Sequence, residues 1–143
     1  MSKKVLFIVL IAVAAIGFGG WKLMATFKKA AQSGGEAVAR FHTLYNAGAD
    51  TDIYREGTAR FRAKGSEAEW SNFTNILHRK LGAHQSGVQE GLSVNNQNGD
   101  QTMTMKYSAV YEKGAATESF VYDYNGDRPL LRQFDIQSPL LLP

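Results

Sequence analysis

The chain is 143 residues long, with 16 Lys and Arg, 13 Asp and Glu, and no cysteine. The absence of cysteine excludes disulfides, thiolate metal sites and a diacylglycerol-modified lipoprotein. The formal charge of +3 is unevenly spread: Lys3, Lys4, Lys22, Lys28 and Lys29 lie in the first thirty positions without an acid, and the remaining 113 residues carry eleven basic and thirteen acidic groups, a net of −2. A mildly acidic domain lacks the cationic surface that neutralises phosphates, so no nucleic-acid partner is expected.

Residues 1–30 read as a membrane anchor or signal-anchor. Val5 to Trp21 is an uncharged apolar run that follows Lys3 and Lys4. At a rise of about 1.5 Å per residue it spans roughly 25 Å, near the lower limit for a hydrocarbon core of about 30 Å. Leu23, Met24 and Phe27 extend it, Lys22 can snorkel to the headgroups, and Trp21 suits an interface. Membrane lipid is thus the expected partner of residues 5–27. The competing reading is a signal peptide cleaved after Ala12-Val13-Ala14, which would leave Ile16-Gly17-Phe18 exposed on the mature chain. Lysines flank the run on both sides, so basic bias does not fix orientation. The short leading tail favours a single-pass protein of a bacterial-type inner membrane with its domain on the periplasmic side; a cytoplasm-facing domain is the other arrangement.

Gln32-Ser33-Gly34-Gly35 lies within a linker at 31–35, and 36–143 reads as one domain. The spacing of Val38, Phe41 and Tyr45 predicts a helix over 36–47, ended by Asn46-Ala47-Gly48. A second helix is expected over 52–63, weakened by Gly57. Ser66-Glu67-Ala68-Glu69 is a capping-box signature that opens a third helix. Trp70, Phe73, Leu77 and Leu81 supply its apolar face, Arg79 and Lys80 favour its carboxyl end, and Gly82 stops it.

Beyond Gly82 the period changes from 3.6 to 2. Strands are expected at 86–95, 101–112, 116–124 and 130–137, with turns at Gln97-Asn98-Gly99-Asp100, Lys113-Gly114 and Asn125-Gly126-Asp127. Val88, Leu92 and Val94 share one face of the first strand. Met103, Met105, Tyr107, Ala109 and Tyr111 share one face of the second, Phe120, Tyr122 and Tyr124 of the third, and Phe134 and Ile136 of the fourth. The expected fold class is α+β, with an N-terminal transmembrane helix and then three helices packed on a curved four-stranded antiparallel sheet.

Phe41 to Gly48, Trp70, Arg79-Lys80-Leu81-Gly82 and Glu118-Ser119-Phe120 carry a resemblance. Over roughly 36–137 the chain resembles the nuclear transport factor 2-like, or cystatin-like, cone fold, and within it a family of small bacterial envelope proteins of unknown function. The resemblance implies a fold and a compartment, and brings no catalytic residues with it. It also implies a pocket between sheet and helices, where enzymes of this fold use acidic and tyrosine side chains for proton transfer.

The candidate ligand-binding residues are Glu90, Arg132, Tyr107, Tyr122 and Trp70. Glu90 lies between Val88 and Leu92, so regular pleating would turn it inward, and Arg132 shares parity with Phe134. A carboxylate and a guanidinium at a pocket mouth could grip a polar ligand, or a desolvated Glu90 could act as a base. A bulge at Gly91 would instead return Glu90 to solvent. The tyrosines read first as cross-strand core packing, second as the wall of an apolar pocket. His42, His78 and His84 sit on separate elements with no metal-ligand spacing, and no metal, cofactor or catalytic residue is expected. The functional expectation is a membrane-anchored, non-enzymatic binding module of the cell envelope for a protein partner or a small apolar ligand. The alternative is a small pocket enzyme, for proton transfer or hydrolysis, that uses Glu90 and a tyrosine.

Overall fold

A computed structural model describes the backbone of residues 3–124 and 128–143, and the side chains of 24, 25 and 27 onward within those ranges. The chain divides into two units, Met1–Gln32 and Ser33–Pro143. Helix α1 covers Lys3–Asn46, so the Gln32-Ser33-Gly34-Gly35 stretch is helical backbone. Among the described residues no helix is long and apolar enough to cross a membrane. The apolar run Val5 to Trp21, on which the anchor expectation rests, lies outside the residues whose side chains are described.

The second unit is α+β. After α1 come α2 (Asp50–Glu56), α3 (Ala59–Arg62) and α4 (Glu67–Leu81), then strands β1 (His84–Gln97), β2 (Asp100–Tyr111), β3 (Gly114–Asp123) and β4 (Leu130–Gln137). The strands form one antiparallel meander in the order β1-β2-β3-β4. The first hairpin turns at Asn98 and Gly99, both with positive φ, as a tight connection requires. The expected turn at Asn125-Gly126-Asp127 lies outside the described residues.

The single helix expected over 52–63 is two short ones. Gly57 leaves α2 in an extended conformation (φ −68°, ψ 165°), and Thr58 restarts the chain as the N-cap of α3, its hydroxyl accepting from the Phe61 amide at 3.1 Å. The break is tied to the sheet, since the Thr58 amide donates to the Leu131 carbonyl at 2.8 Å. A Cβ at Gly57 would sit 2.4 Å from the Phe61 ring, so a side chain here would displace the aromatic that α3 buries. The third expected helix forms as α4, with both halves of the capping box in place: the Glu69 amide donates to Ser66 Oγ at 3.1 Å, and the Ser66 amide to Glu69 Oε2 at 2.7 Å.

The core lies between the sheet and the helices. Met103, Met105, Ala109 and Tyr111 of β2 are buried, as are Ala116, Phe120 and Tyr122 of β3. Phe41 of α1 packs edge-on to Phe120, with ring centroids 5.1 Å apart, and touches Phe134 of β4 at 4.6 Å. Phe41 and Phe120 are buried, and burial of such a side chain contributes roughly 1.5–3 kcal/mol. Helix α1 comes so close to β2 at Gly34 that a Cβ there would lie 2.5 Å from Met105 Sδ and 2.8 Å from Met103 Sδ.

The inward face expected for β1 is corrected. The strand pairs with β2 through two register irregularities, between His84 and Ser86 and between Gln89 and Gly91. The second lets two residues oppose one and reverses the alternation. Val88 is 69% exposed as a result, and Glu90 is exposed as well. The last residues turn back on the fold. Ser138 Oγ donates to the Ala115 carbonyl at 2.8 Å, Pro139–Leu141 forms a 3-10 turn, and Leu140 packs against Gly114.

Candidate functional site

Glu118 is the least expected residue of the core. It shares the inward face of β3 with Ala116, Phe120 and Tyr122 and is 0% exposed. A carboxylate without water must find its hydrogen bonds and a balancing charge inside the protein. His42, one position after Phe41 on α1, brings Nε2 to 3.0 Å from both carboxylate oxygens. The Tyr111 hydroxyl donates to Oε1 from the end of β2. Burial, and then the Glu118 charge, push the Tyr111 phenol well above its ordinary value, so it stays a donor.

His84 completes the cluster. Its ring stacks on that of His42, with centroids 3.4 Å apart and planes 4° from parallel, and meets Tyr111 edge-on at 5.3 Å. Its backbone is clamped to the end of α1: the Asn46 amide group donates to the His84 carbonyl at 2.9 Å, and the His84 amide donates to Asn46 Oδ1 at 2.8 Å. Just before it, Gly82 takes φ +76° and accepts from the Tyr45 hydroxyl at 2.8 Å. Burial, then the nearby His42, push the His84 imidazole below its usual value, with Glu118 opposing them. His84 Nε2 is buried and has no hydrogen-bond partner among the described residues. The ligand atoms of His42, His84 and Glu118 all lie within 4.8 Å of one another.

A second histidine–carboxylate pair sits nearby. His78 of α4 places Nε2 3.0 Å from Asp50 Oδ2 and stacks on Tyr45 at 4.0 Å. Trp70 Nε1 donates to the Asp50 carbonyl at 2.8 Å, which ties α4 to the start of α2.

The five expected ligand residues are not brought together. Glu90 sits on the outer face of the sheet, where Ser108 donates to it. Arg132, on β4, pairs with Asp123 at 3.2 Å. Strands β2 and β3 separate β1 from β4, so Glu90 and Arg132 belong to strands roughly 14 Å apart. Tyr107 is half-buried and edge-on to Phe120 at 6.0 Å. Trp70 lines a cavity of about 530 Å³ beside Phe61, Phe73 and Phe134. Tyr122 lines another, of about 420 Å³, between α1, α2 and the start of β4. Its hydroxyl is buried without a partner among the described residues, and burial, then Tyr107, push its phenol up.

That second cavity is walled by Phe41, Leu44, Ile53 and Leu131, with Arg40, Glu56 and Arg128 among its lining residues. Arg40 Nε donates to Glu56 Oε2 at 2.9 Å, and Arg128 reaches the same oxygen at 3.1 Å. The Arg40 hydrogen bond holds the Glu56 carboxyl below the usual carboxylate range, against some desolvation.

The histidine cluster was missed because His42 and His84 meet only through tertiary packing. A signal for Glu118 did exist: it lies two positions before Phe120, on the same inward parity. No family model matches this chain, and no curated protein or solved structure matches it. What the protein does must therefore be read from the chemistry of its residues.

Proposed function

We propose that the chain is a membrane-tethered, non-enzymatic binding module of the cell envelope, held through residues 5–27, whose domain is a cone of the nuclear transport factor 2-like type and takes up a small apolar ligand. The observation that carries this reading is the cavity of about 420 Å³ with an apolar wall of Phe41, Leu44, Ile53 and Leu131. A ligand pocket is typically concave and apolar, with a few polar groups at fixed places. Here Arg40, Glu56 and Arg128 supply those groups. Glu56 is held by two guanidinium groups and kept ionised, which suits orientation of a ligand better than proton abstraction. The alternative of a pocket enzyme using Glu90 and a tyrosine loses support, because Glu90 is exposed and bonded to Ser108 on the outer face.

The test uses the full chain in detergent with a medium-chain fatty acid bearing a diazirine. After irradiation, label within the domain is expected on peptides containing residues 40–44 and 129–131. Leu44→Arg, which places a charge against the apolar wall, is expected to abolish that label while far-UV circular dichroism stays unchanged. Label scattered over the domain, or indifferent to Leu44→Arg, sinks the ligand reading. A topology reporter fused after Pro143 tests the periplasmic placement separately.

A further inference from the structure

We propose that His42, His84 and Glu118 form a binding site for a divalent cation of the zinc class. The donors come from α1, β1 and β3, and their ligand atoms lie within 4.8 Å of one another. Two imidazole nitrogens and a carboxylate oxygen form a donor set that suits zinc, cobalt or nickel rather than magnesium or calcium, and it leaves a coordination position open. Part of the geometry is already in place. A tetrahedral ion with bonds of about 2.0–2.1 Å holds its ligand atoms roughly 3.3 Å apart. His42 Nε2 lies 3.0 Å from each Glu118 oxygen.

Two further observations point to a missing ligand. Glu118 is fully buried, and its side-chain hydrogen-bond partners among the described residues are His42 and Tyr111, neither of them an Arg or a Lys. A divalent ion held by the two imidazoles places permanent positive charge beside this carboxylate, taking over the His42 contact. His84 Nε2 is a buried polar atom with no partner among the described residues, an arrangement that is unfavourable unless something meets it. A cation between these three groups satisfies both. The surroundings resemble an outer ligand shell: Tyr111 orients the carboxylate by donating to Oε1, and Asn46 fixes the His84 backbone by two hydrogen bonds.

The stacked rings set one condition. An imidazole nitrogen directs its lone pair within the ring plane, and two planes 4° from parallel do not converge on one ion. One ring has to tilt, and His84 is the one free to do so. It is half-buried, opens the edge strand β1 and precedes a register irregularity, whereas His42 and Glu118 are locked in the core. Binding therefore turns His84 out of the stack by side-chain rotation and leaves the sheet in place.

The experiment uses the full chain in detergent, stripped with EDTA and titrated with zinc chloride against a chromophoric chelator. One equivalent is expected to bind. His84→Ala removes a ligand whose Nε2 no other described group hydrogen-bonds, and is expected to weaken binding by at least about 100-fold, since losing even an outer-shell partner costs 10–100-fold. His78→Ala, at the neighbouring Asp50 pair, is the control and is expected to leave affinity unchanged. The cobalt-loaded wild type needs no variant: the intense visible bands of a four- or five-coordinate ion support the site. No stoichiometric binding, wild-type affinity in His84→Ala, loss of binding in His78→Ala, or the pale spectrum of six-coordinate cobalt each overturns the proposal.

Discussion

His42 on α1 and His84 at the start of β1 lie face to face over the fully buried carboxylate of Glu118, which His42 holds by both oxygens at 3.0 Å. Such a contact makes the three groups one electrostatic unit. The carboxylate favours positive charge beside it, while burial and the neighbouring ring oppose charge on His84. The helical and sheet layers are thus joined by a polar contact inside a largely apolar core.

Glu118→Ala is expected to lower stability by about 3–5 kcal/mol, because it strips His42 and Tyr111 of their shared acceptor and leaves both buried. Urea unfolding of the full chain followed by tryptophan fluorescence measures this. A loss under about 1 kcal/mol would mean that the carboxylate is not locked as described.

Alkaline pH is expected to destabilise the domain. Burial is the first cause of raised phenol values at Tyr45, Tyr111 and Tyr122. The unfolded phenols ionise near 10.0, before the native ones. Their contribution is therefore complete below pH 10 and is lost as the pH rises towards the native values. Tyr122→Phe removes one such group along with a hydroxyl that has no partner among the described residues. The variant should match or exceed wild-type stability at pH 8 and lose less of it at pH 11, as read from urea midpoints at the two values.

Gly34 and Gly35 are adjacent on α1 and should respond oppositely. A Cβ at Gly34 meets both Met105 and Met103 sulfurs at under 3 Å, whereas one at Gly35 meets nothing within 4 Å. Gly34→Val is expected to cost about 1–3 kcal/mol through overpacking. Gly35→Ala should gain up to about 1 kcal/mol from helix propensity. Thermal denaturation of the two variants side by side decides it, and equal shifts would refute the close approach of α1 to β2.

Ser66→Ala removes the acceptor for the Glu69 amide and breaks the reciprocal cap of α4. A loss of about 1 kcal/mol is expected. Glu90→Gln, at the exposed bulge, should change stability by less than about 0.5 kcal/mol. Chemical denaturation of both variants against wild type ranks them, and a larger effect at Glu90 than at Ser66 would contradict the exposed placement of that carboxylate.

Where elements begin and which face they bury was largely legible in the residues themselves. The Ser66–Glu69 box marked the start of α4 because both capping partners are local. Alternation on β2 marked Met103, Met105, Ala109 and Tyr111 as buried because a strand's side-chain period survives in the primary pattern. Even Glu118 announced its face by its parity with Phe120. Those features depend on residues a few positions apart, whose geometry is set by backbone periodicity.

Tertiary packing alone decided the rest. Glu90 points outward because the pairing of β1 with β2 slips between Gln89 and Gly91, and a bulge is a property of two strands together. The chain breaks at Gly57 where Thr58 bonds to Leu131 of a distant strand. His42, His84 and Glu118, spread over three elements, converge because α1 packs on the sheet with Phe41 against Phe120 and Asn46 bonded to His84. Local rules encode period and capping, but the meeting of distant side chains depends on how whole elements dock, and no short stretch of residues carries that information.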